Sequence, residues 1–385
     1  MRQRGDLPFP MGEYERRLQE LRQRMAKRDI EVTLTTTPEN ITYLTGFESP
    51  GHWYFQGLLV PLEGEPVMVP RLSEDTGVQA LSWVEISRPY QDFEHPMDIL
   101  RDTLQEFNFH NKRIGFEKNC WFFTATQQEK LFADCPQATF VDCSGIIEAG
   151  RLIKSDYEIE LMRKAARTAE AGMRAGIEAV RAGVTEHDVA ADILYAMTKA
   201  GSEWPSIVPF VASGERGAIV HATWAGRTIR SGDIILLEIG GCLKRYHAAM
   251  MRTGFVGEPS KQAREAEKVV QEAVNLALDT IKPGLTAGEV DAVSRNFIAK
   301  SSFGAVQASR SAYSIGIAVP PDWGEGHILS FYPNNPHVLE PNMTFHLLPW
   351  VQIPGKGGVS FSETIRVTED GCETLTNFER KLFVK

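Results

Sequence analysis

The chain has 385 residues, with 41 Lys and Arg against 50 Asp and Glu, so its formal net charge is −9. This length allows two or three domains with a large core, the acidic balance argues against nucleic acid as the main partner, and five cysteines without CxxC spacing argue against a disulfide framework or a zinc site. No apolar run reaches transmembrane length and the first residues lead into charge rather than a signal-peptide core, so we expect a cytoplasmic protein without a membrane partner.

The first part of the chain alternates helical and strand patterns. Apolar residues recur at helical spacing in an amphipathic segment, a strand pattern follows, and two short apolar runs flank a Glu-Gly turn. The corresponding predictions are a helix over 13–29, a strand over 31–37, and a hairpin of 58–61 with 66–69. This alternation predicts an N-terminal α/β domain of about 150 residues.

An aromatic loop, Gly46 to Phe55, lies within this predicted domain. Phe47, Trp53, Tyr54 and Phe55 stand in a stretch bounded by Gly and Pro. Such residues either belong to the core or form an exposed anchor for a partner, and the sequence leaves both alternatives open.

The second part of the chain repeats itself. Ser155 and Glu158 have capping-box spacing before a long amphipathic helix, which ends at 181–189 with Gly, an apolar residue, Thr and then an acid. The same succession returns at 282–290, again after a helical pattern. Two matching helix-helix-strand units predict a duplicated domain with a pseudo-twofold axis over 151–385.

Each repeat leads into an apolar strand, and the first one contains a single carboxylate, Glu238. We predict a strand over 234–239 that Gly240-Gly241 breaks, with 246–253 as its antiparallel return. A lone Glu in an apolar run must be paired, neutralised or functional, because an unpaired buried charge is costly. Glu238 is therefore the first candidate for a functional site, with a structural ion pair as the alternative. The second repeat has Leu348 at the equivalent position.

This pattern resembles the pita-bread family, which includes methionine aminopeptidase, prolidase and creatinase. Glu238 on its strand, the return strand ending in Arg-Thr, and Glu363 before a final turn occur in the family's order and spacing. The likeness covers about 154–375. It implies an α/β (α+β) pita-bread fold, in which a creatinase- or prolidase-type α/β domain (1–150) precedes a pseudo-twofold duplicated catalytic domain (151–385).

The metal positions of the family are largely replaced. Its metallopeptidases hold two metals with two Asp, one His and two Glu, and the matching residues here are Glu238, Ala249, Tyr313, Leu348 and Glu363. Ala249 and Leu348 cannot ligate a metal, so the carboxylate bridges of a dinuclear site are missing. The resemblance therefore implies a metal-independent protein without a cofactor rather than a metallopeptidase.

Creatinase shows what the scaffold does without metal, since it hydrolyses a carbon–nitrogen bond of a small amidine compound, and its catalytic His matches His221. A closer likeness is to the ectoine hydrolases, carried by short runs at 43–47, 95–98, 244–248, 320–325 and 343–346. The implied function is hydrolysis of a small cyclic amidine, ectoine or hydroxyectoine, to N-acetyl-diaminobutyrate. The implied assembly is a homodimer in which the aromatic loop closes the partner's pocket.

The chemistry of opening a cyclic amidinium assigns roles to particular residues. Glu238 is expected to act as the nucleophile or as the base for water, and His221 as the proton shuttle. The candidates for substrate binding are the aromatic Tyr313 and Trp323, the carboxylates Glu325 and Glu363, the weaker His247 and His346, and Phe47 and Trp53 of the aromatic loop. For Glu363 the alternative is an ion pair with Arg252. The substrate carboxylate is left to Arg227, Lys244 or Arg245.

Two other functions remain open. One is a creatinase-like hydrolase of another amidine or ureido compound, with the same pocket residues. The other is a non-catalytic peptidase homologue that serves as a binding module. The retention of both an acid and a base, Glu238 and His221, favours an enzyme.

Overall fold

A computed structural model of the protein describes residues 1–304 and 309–385. The chain divides into two compact units, residues 1–151 and 152–385. Within the described residues, no helix is both long enough and apolar enough to cross a membrane.

The N-terminal unit is a mixed six-stranded sheet with helices, in the strand order β4-β3-β2-β1-β5-β6. Its helices are α1 (Met11–Lys27), α2 (Pro38–Thr45), α3 (Leu72–Leu81), α4 (Pro96–Glu106), α5 (Ala125–Asp134) and α6 (Glu148–Arg151). Its strands are β1 (Val32–Thr35), β2 (Gly57–Pro61), β3 (Val67–Val69), β4 (Ile86–Ser87), β5 (Arg113–Phe116) and β6 (Thr139–Asp142). The predicted hairpin is β2–β3, and the predicted first helix begins and ends two residues earlier than expected.

The aromatic loop of this unit divides between the two alternatives. Phe47 and Phe55 are buried, whereas Trp53 is 62% exposed and Tyr54 is 40% exposed. The Phe47 ring lies against α3, where a Cβ on Gly77 would come within 3.1 Å of it. Phe47 is therefore a core residue of the N-terminal unit, and the exposed part of the loop is confined to its middle.

The described residues of the C-terminal unit form two larger sheets, a hairpin and four α-helices. Its helices are α7 (Asp156–Ala179), α8 (Glu186–Lys199), α9 (Lys261–Thr280) and α10 (Ala287–Ala299). Its strands are β7 (Phe210–Ser213), β8 (Ile234–Leu243), β9 (Tyr246–Phe255), β10 (Ala312–Ser314), β11 (Ser330–Phe331), β12 (Thr344–Leu347), β13 (Trp350–Ile353), β14 (Gly357–Ser360), β15 (Glu363–Val367), β16 (Cys372–Thr374) and β17 (Leu382–Val384). The sheets have the orders β17-β9-β8-β7 and β11-β10-β12-β15-β16, and β13 pairs with β14.

The predicted duplication is confirmed. Thr185 and Thr286 begin α8 and α10 through the same capping box, which satisfies backbone N–H groups of the first turn. Gly183 and Gly284, two residues earlier, share a φ of 89°, a conformation that glycine adopts without strain. Helices α7 and α8 pack on the first sheet, and α9 and α10 on the second repeat's strands, so the two sheets face each other between the helix pairs.

Strand β8 is longer than predicted, because Gly240-Gly241 does not break it. Both glycines instead permit close approach of a neighbour. A Cβ on Gly240 would lie 2.6 Å from the indole of Trp323, and one on Gly241 would lie 2.1 Å from the carbonyl oxygen of Ala165 in α7. The prediction of a break was wrong because glycine within a strand also marks a position where a neighbouring group approaches the backbone closely.

Candidate active site

Glu238 lies in the middle of β8, at the face where the two sheets of the C-terminal unit meet. It pairs across the ladder with Phe210 of β7 and with Met251 of β9, so all three side chains share one face of the sheet. Gly240, two residues on, belongs to the same face and is covered by the Trp323 indole. Glu238 therefore stands in a largely apolar surround.

The carboxyl group of Glu238 is half-buried and has no hydrogen-bond or ion-pair partner among residues 1–304 and 309–385. Burial raises the pKa of Glu238 to about 8, and the negative charge of Asp322 adds to the effect. The alternative expected from the sequence, a structural ion pair, is thus not found. A carboxyl kept unpaired at a cost in free energy is typical of a functional site.

Aromatic rings bring His221 and Trp323 to the same place. The Phe210 ring lies 5.5 Å from the His221 ring, with 26° between their planes, and 5.6 Å from the Trp323 ring. Phe210 is also the direct ladder partner of Glu238. Three predicted site residues, Glu238, His221 and Trp323, therefore lie around a single phenyl ring.

The loop that carries His221 is held by a buried carboxylate on α8. Glu186 accepts hydrogen bonds from the backbone N–H groups of Ser213 and Ala225 and from the guanidinium of Arg216, at 2.6–2.9 Å. His221 itself is exposed and has a φ of 63°, a left-handed conformation that His adopts more readily than most residues. The loop is therefore anchored on both sides of the histidine, while the imidazole stays open to solvent.

A chain of buried hydrogen bonds runs behind this cluster. The Trp323 Nε1–H donates to Tyr313 Oη at 2.8 Å, and Tyr313 Oη lies 2.8 Å from His346 Nδ1. On its other side, His346 Nε2 lies 2.6 Å from Ser362 Oγ, which accepts the backbone N–H of Met251 at 2.6 Å. The chain connects the second sheet to the strand beside Glu238.

Counting donors along this chain assigns the position of each hydrogen. Burial lowers the pKa of His346 to about 3, so the ring is neutral and carries one N–H. If that hydrogen were on Nε2, the buried Ser362 hydroxyl would have no acceptor among the described residues. We therefore place it on Nδ1, where it donates to Tyr313 Oη while Ser362 donates to Nε2. Tyr313 then receives two donors, and its own hydroxyl hydrogen is left for an acceptor in the site.

Three of the predicted substrate contacts are already engaged inside the protein. Glu325 is fully buried and accepts from Lys154 Nζ at 2.5 Å, and Glu363 is held by Arg252 at 2.7 Å. For Glu363, the alternative of an ion pair with Arg252 is thus the observed arrangement. His247 donates from Nδ1 to the Arg245 carbonyl and accepts the Ser206 N–H at Nε2. We therefore withdraw Glu325, Glu363 and His247 as substrate contacts.

The remaining predicted contacts divide in the same way. Phe47 is withdrawn as well, because it is a core residue of the N-terminal unit, and Trp53 lies on the exposed part of that unit's loop. Of the three cations considered for a substrate carboxylate, Arg227 pairs with Asp233 and Lys244 with Glu203. Arg245 is buried over the Trp204 ring and donates to backbone carbonyls, so none of the three is available to a substrate.

The residues at the family's metal positions do not fit a dinuclear centre. Ala249 and Leu348 offer no ligand atom, and the guanidinium of Arg252 occupies the Glu363 carboxylate where a cation would have to bind. Tyr313 Oη already accepts from Trp323 and lies within hydrogen-bond distance of His346 Nδ1. Within the described residues, no three His, Cys, Asp or Glu side chains are grouped to hold a metal ion.

Several residues of this cluster were missed by the sequence reasoning. Phe210, Arg310 and Ser362 each stand in segments without a distinctive spacing, and only tertiary structure brings them to this cluster. Asp322 directly precedes the predicted Trp323, which is the one signal that could have indicated it.

The chain matches two protein-family models. The metallopeptidase family M24 model matches residues 160–369, and the creatinase/prolidase N-terminal domain model matches residues 17–153. Among curated relatives, ectoine hydrolase from Halomonas elongata is 35% identical over 98% of this chain and 99% of that protein. An uncharacterized hydrolase/peptidase from Sinorhizobium fredii is 34% identical over 99% of both chains.

Solved structures share the same architecture. The prolidase from Thermococcus sibiricus superimposes with a TM-score of 0.87 at 26% identity, covering 97% of this chain and 99% of that one. The prolidase from Pyrococcus horikoshii gives a TM-score of 0.84 at 26% identity, covering 96% of this chain and all of that one. The pita-bread fold predicted from the sequence is therefore confirmed.

Proposed function

Because the chain belongs to the metallopeptidase M24 family, carries a creatinase/prolidase N-terminal domain and is a hydrolase of that family, we propose that it opens a small cyclic amidine without metal. The proposed substrate is ectoine or hydroxyectoine, and the product is an N-acetyl-diaminobutyrate. The observation that carries the proposal is the unpaired Glu238 carboxyl, whose pKa is raised to about 8 beside Asp322 and aromatic rings. The relationship to the Halomonas ectoine hydrolase supports this substrate.

The electrostatics of the site suit a cationic substrate. Two carboxyl groups, Glu238 and Asp322, lie close enough for one to raise the pKa of the other, and neither forms an ion pair with the protein within the described residues. An amidinium bound beside them would lower the pKa of Glu238 and hold it as a carboxylate. Substrate binding therefore produces the reactive form of the acid.

The reaction needs one bond formed and one broken. As a base, Glu238 takes a proton from water while the water oxygen bonds to the amidine carbon, and the electron pair of the carbon–nitrogen double bond moves onto nitrogen. The second carbon–nitrogen bond then breaks, and the departing amine takes up a proton, which leaves an acetamide. As a nucleophile, the Glu238 oxygen instead bonds to that carbon, one carbon–nitrogen bond breaks and its amine leaves with a proton. Water then cleaves the bond to Glu238 in a second step, which releases the acetamide and restores the carboxylate.

His221 and Tyr313 have complementary places in this scheme. The exposed imidazole of His221 exchanges protons with solvent and delivers one to the departing amine. Tyr313, with two donors already on its oxygen, supplies a hydroxyl hydrogen to the Glu238 side of the cluster and so orients the carboxylate or the attacking water.

The direct test is incubation of chelator-treated protein with ectoine, followed by NMR detection of N-acetyl-diaminobutyrate, with Glu238→Gln as the inactive control. A panel of creatine, ureido compounds and X-Pro dipeptides identifies the alternative substrates. If the protein turns over another member of the panel but neither ectoine nor hydroxyectoine, the proposed substrate is refuted. No turnover of any compound favours a binding module.

A single-turnover experiment in ¹⁸O-labelled water separates the two roles of Glu238. Water activated by Glu238 places ¹⁸O in the acetyl group during the first turnover. A covalent route in which water attacks the Glu238 carboxyl carbon instead transfers unlabelled oxygen from the protein to the product and leaves ¹⁸O in the Glu238 carboxyl group. A covalent route in which water attacks the substrate carbon labels the product as the base route does, and it is identified by the Glu238 adduct in rapidly quenched protein. Mass spectrometry of the product and of the Glu238 peptide measures both.

We also propose that the protein is a homodimer in which the exposed middle of the aromatic loop covers the partner's pocket. The support is the exposure of Trp53 and Tyr54 beside the buried Phe47 and Phe55. Sedimentation at assay concentration measures the assembly. An active monomer, or a Trp53→Ala and Tyr54→Ala variant with the wild-type KM, would contradict it.

A further inference from the structure

Arg310 is a half-buried arginine next to Tyr313, just before β10. Its guanidinium lies over the Tyr313 ring, 4.2 Å from the ring centroid, and Nη1 donates to Ser330 Oγ at 3.3 Å. The position depends on Gly326, because a Cβ there would lie 2.0 Å from Nη1. A glycine thus makes room for a guanidinium between its own backbone and an aromatic ring.

This guanidinium has spare hydrogen-bonding capacity and, in the part of the chain that the structure describes, no counter-charge. An arginine has five N–H donors, and the one hydrogen bond seen for Arg310 within the described residues goes to a neutral hydroxyl. No carboxylate of the described residues lies at ion-pair distance from it, and residues 305–308 contain no acidic side chain. By contrast, Arg227, Lys244 and Arg252 each have a carboxylate partner. A half-buried, unmatched cation is costly unless an anion reaches it.

Arg310 and Glu238 shift the pKa of the same tyrosine, Tyr313, in opposite directions. Burial is the main reason that the pKa of Tyr313 is raised; Glu238 and Asp322 add to this effect and Arg310 opposes it, so all three groups lie within electrostatic range of one hydroxyl group. The site therefore has two carboxyl groups, Glu238 and Asp322, and one cation, Arg310, around the same tyrosine, with the guanidinium over the face of its ring. This arrangement complements a small zwitterion whose cation lies at Glu238 and whose anion lies at Arg310.

The geometry points to Arg310 as the residue that receives the carboxylate of the substrate, which restricts the enzyme to cyclic amidines that bear an anionic group. This assignment rests on the proposed function. The free edge of a guanidinium binds a carboxylate through two parallel N–H···O hydrogen bonds, which fixes the orientation of the substrate as well as its affinity. Arg310 acts in specificity, and Glu238 in the chemistry.

The test compares two substrates on three proteins. Ectoine carries the carboxylate, and 2-methyl-1,4,5,6-tetrahydropyrimidine is the same ring without it. For Arg310→Gln we expect the KM for ectoine to rise at least ~30-fold and the kinetic constants for the carboxyl-free ring to change less than ~3-fold, since one charge-assisted contact is lost. Arg310→Lys keeps the charge without the planar fork, so its KM for ectoine should be intermediate.

A further variant, Gly326→Ala, tests the same site while Arg310 itself is retained. The added methyl group displaces the guanidinium, so discrimination between the two rings should fall as it does in Arg310→Gln. Thermal melting of each variant verifies that it is folded. Equal losses on both rings, or no loss on either, overturn the assignment of Arg310.

Failure of the proposed function gives a different result. If the wild-type protein neither turns over nor binds either ring, the proposed amidine substrate is refuted. The anion site is then measured by calorimetric titration with acetate, butyrate and N-acetylglycine. Weaker binding of these carboxylates to Arg310→Gln, by at least ~10-fold, supports the site, and equal binding to both proteins overturns it.

Discussion

Replacing Glu238 by Gln should abolish activity and make the folded protein more stable. The substitution keeps the volume and the hydrogen-bonding atoms of the side chain but removes the ionisable group. Because Glu238 is unpaired within the described residues, no ion pair is lost. We expect kcat to fall by at least ~10³-fold, which corresponds to roughly 4 kcal/mol of barrier.

The gain in stability follows from the pKa of Glu238, which rises from 4.5 to about 8 on folding. Between these values the folded protein holds a proton that the unfolded chain has released, so the free energy of unfolding of the wild type falls as pH rises through this window. At about 1.4 kcal/mol per pKa unit the full penalty is about 5 kcal/mol, and solvent contact of the half-buried carboxyl reduces it to about 1–3 kcal/mol. The variant avoids this loss.

Urea unfolding of both proteins at several pH values measures the effect. The two free energies of unfolding should be similar near pH 4.5, and the variant should become the more stable protein as pH rises to about 8. Glu363→Gln is the matched control, because it removes a buried carboxylate that Arg252 holds and should cost about 3–5 kcal/mol. The reasoning is refuted if Glu238→Gln loses stability as the control does, or retains activity within about tenfold of the wild type.

Three further predictions concern the same site. Since the reactive form of Glu238 is the carboxylate, kcat/KM for ectoine should rise with pH and level off above about 8. Asp322→Asn should move the midpoint of this rise to lower pH, and a flat profile between about pH 6 and 9 would contradict the prediction. Asn tolerates the left-handed backbone at position 221, so His221→Asn removes only the imidazole, and kcat should fall ~10²–10⁴-fold, as for His221→Ala. The loss in kcat of the double variant with Glu238→Gln should be much smaller than the product of the two single losses. Full activity in His221→Asn would exclude a proton shuttle there. Activity should survive chelation, and elemental analysis that finds about one or two metals per chain, with activity lost on their removal, would show that the chemistry depends on metal.

The sequence was sufficient for the fold, and it singled out Glu238, the centre of the proposed site. Helix caps, glycine turns and the spacing between the repeats are local features, and each appears in the structure at the predicted place. A lone Glu in an apolar strand is equally visible in sequence, because burial of an uncompensated carboxylate is improbable without a purpose.

The contacts of that centre could not be predicted, because they depend on which polar side chains pair with one another. Glu325 and Glu363 have the composition of substrate ligands, yet each is neutralised by a cation distant in sequence, Lys154 or Arg252. Arg310, which lies in no recognisable motif, is distinguished by the lack of a carboxylate partner within the described residues. Long-range pairing decides both outcomes, and residue type alone does not reveal it.

One threonine has a consequence for how the C-terminal unit unfolds. Thr364 of β15 accepts the backbone N–H of Ala249 and donates to the carbonyl of the same residue, both at 2.8 Å. Ser362, two residues before Thr364, accepts the N–H of Met251, two residues after Ala249 in β9, at 2.6 Å. Side-chain hydroxyls of the second repeat therefore hydrogen-bond to the backbone of the first. We expect the two repeats to unfold in one cooperative step. In hydrogen–deuterium exchange, the Ala249 and Met251 amides should be among the slowest, exchanging only on global opening.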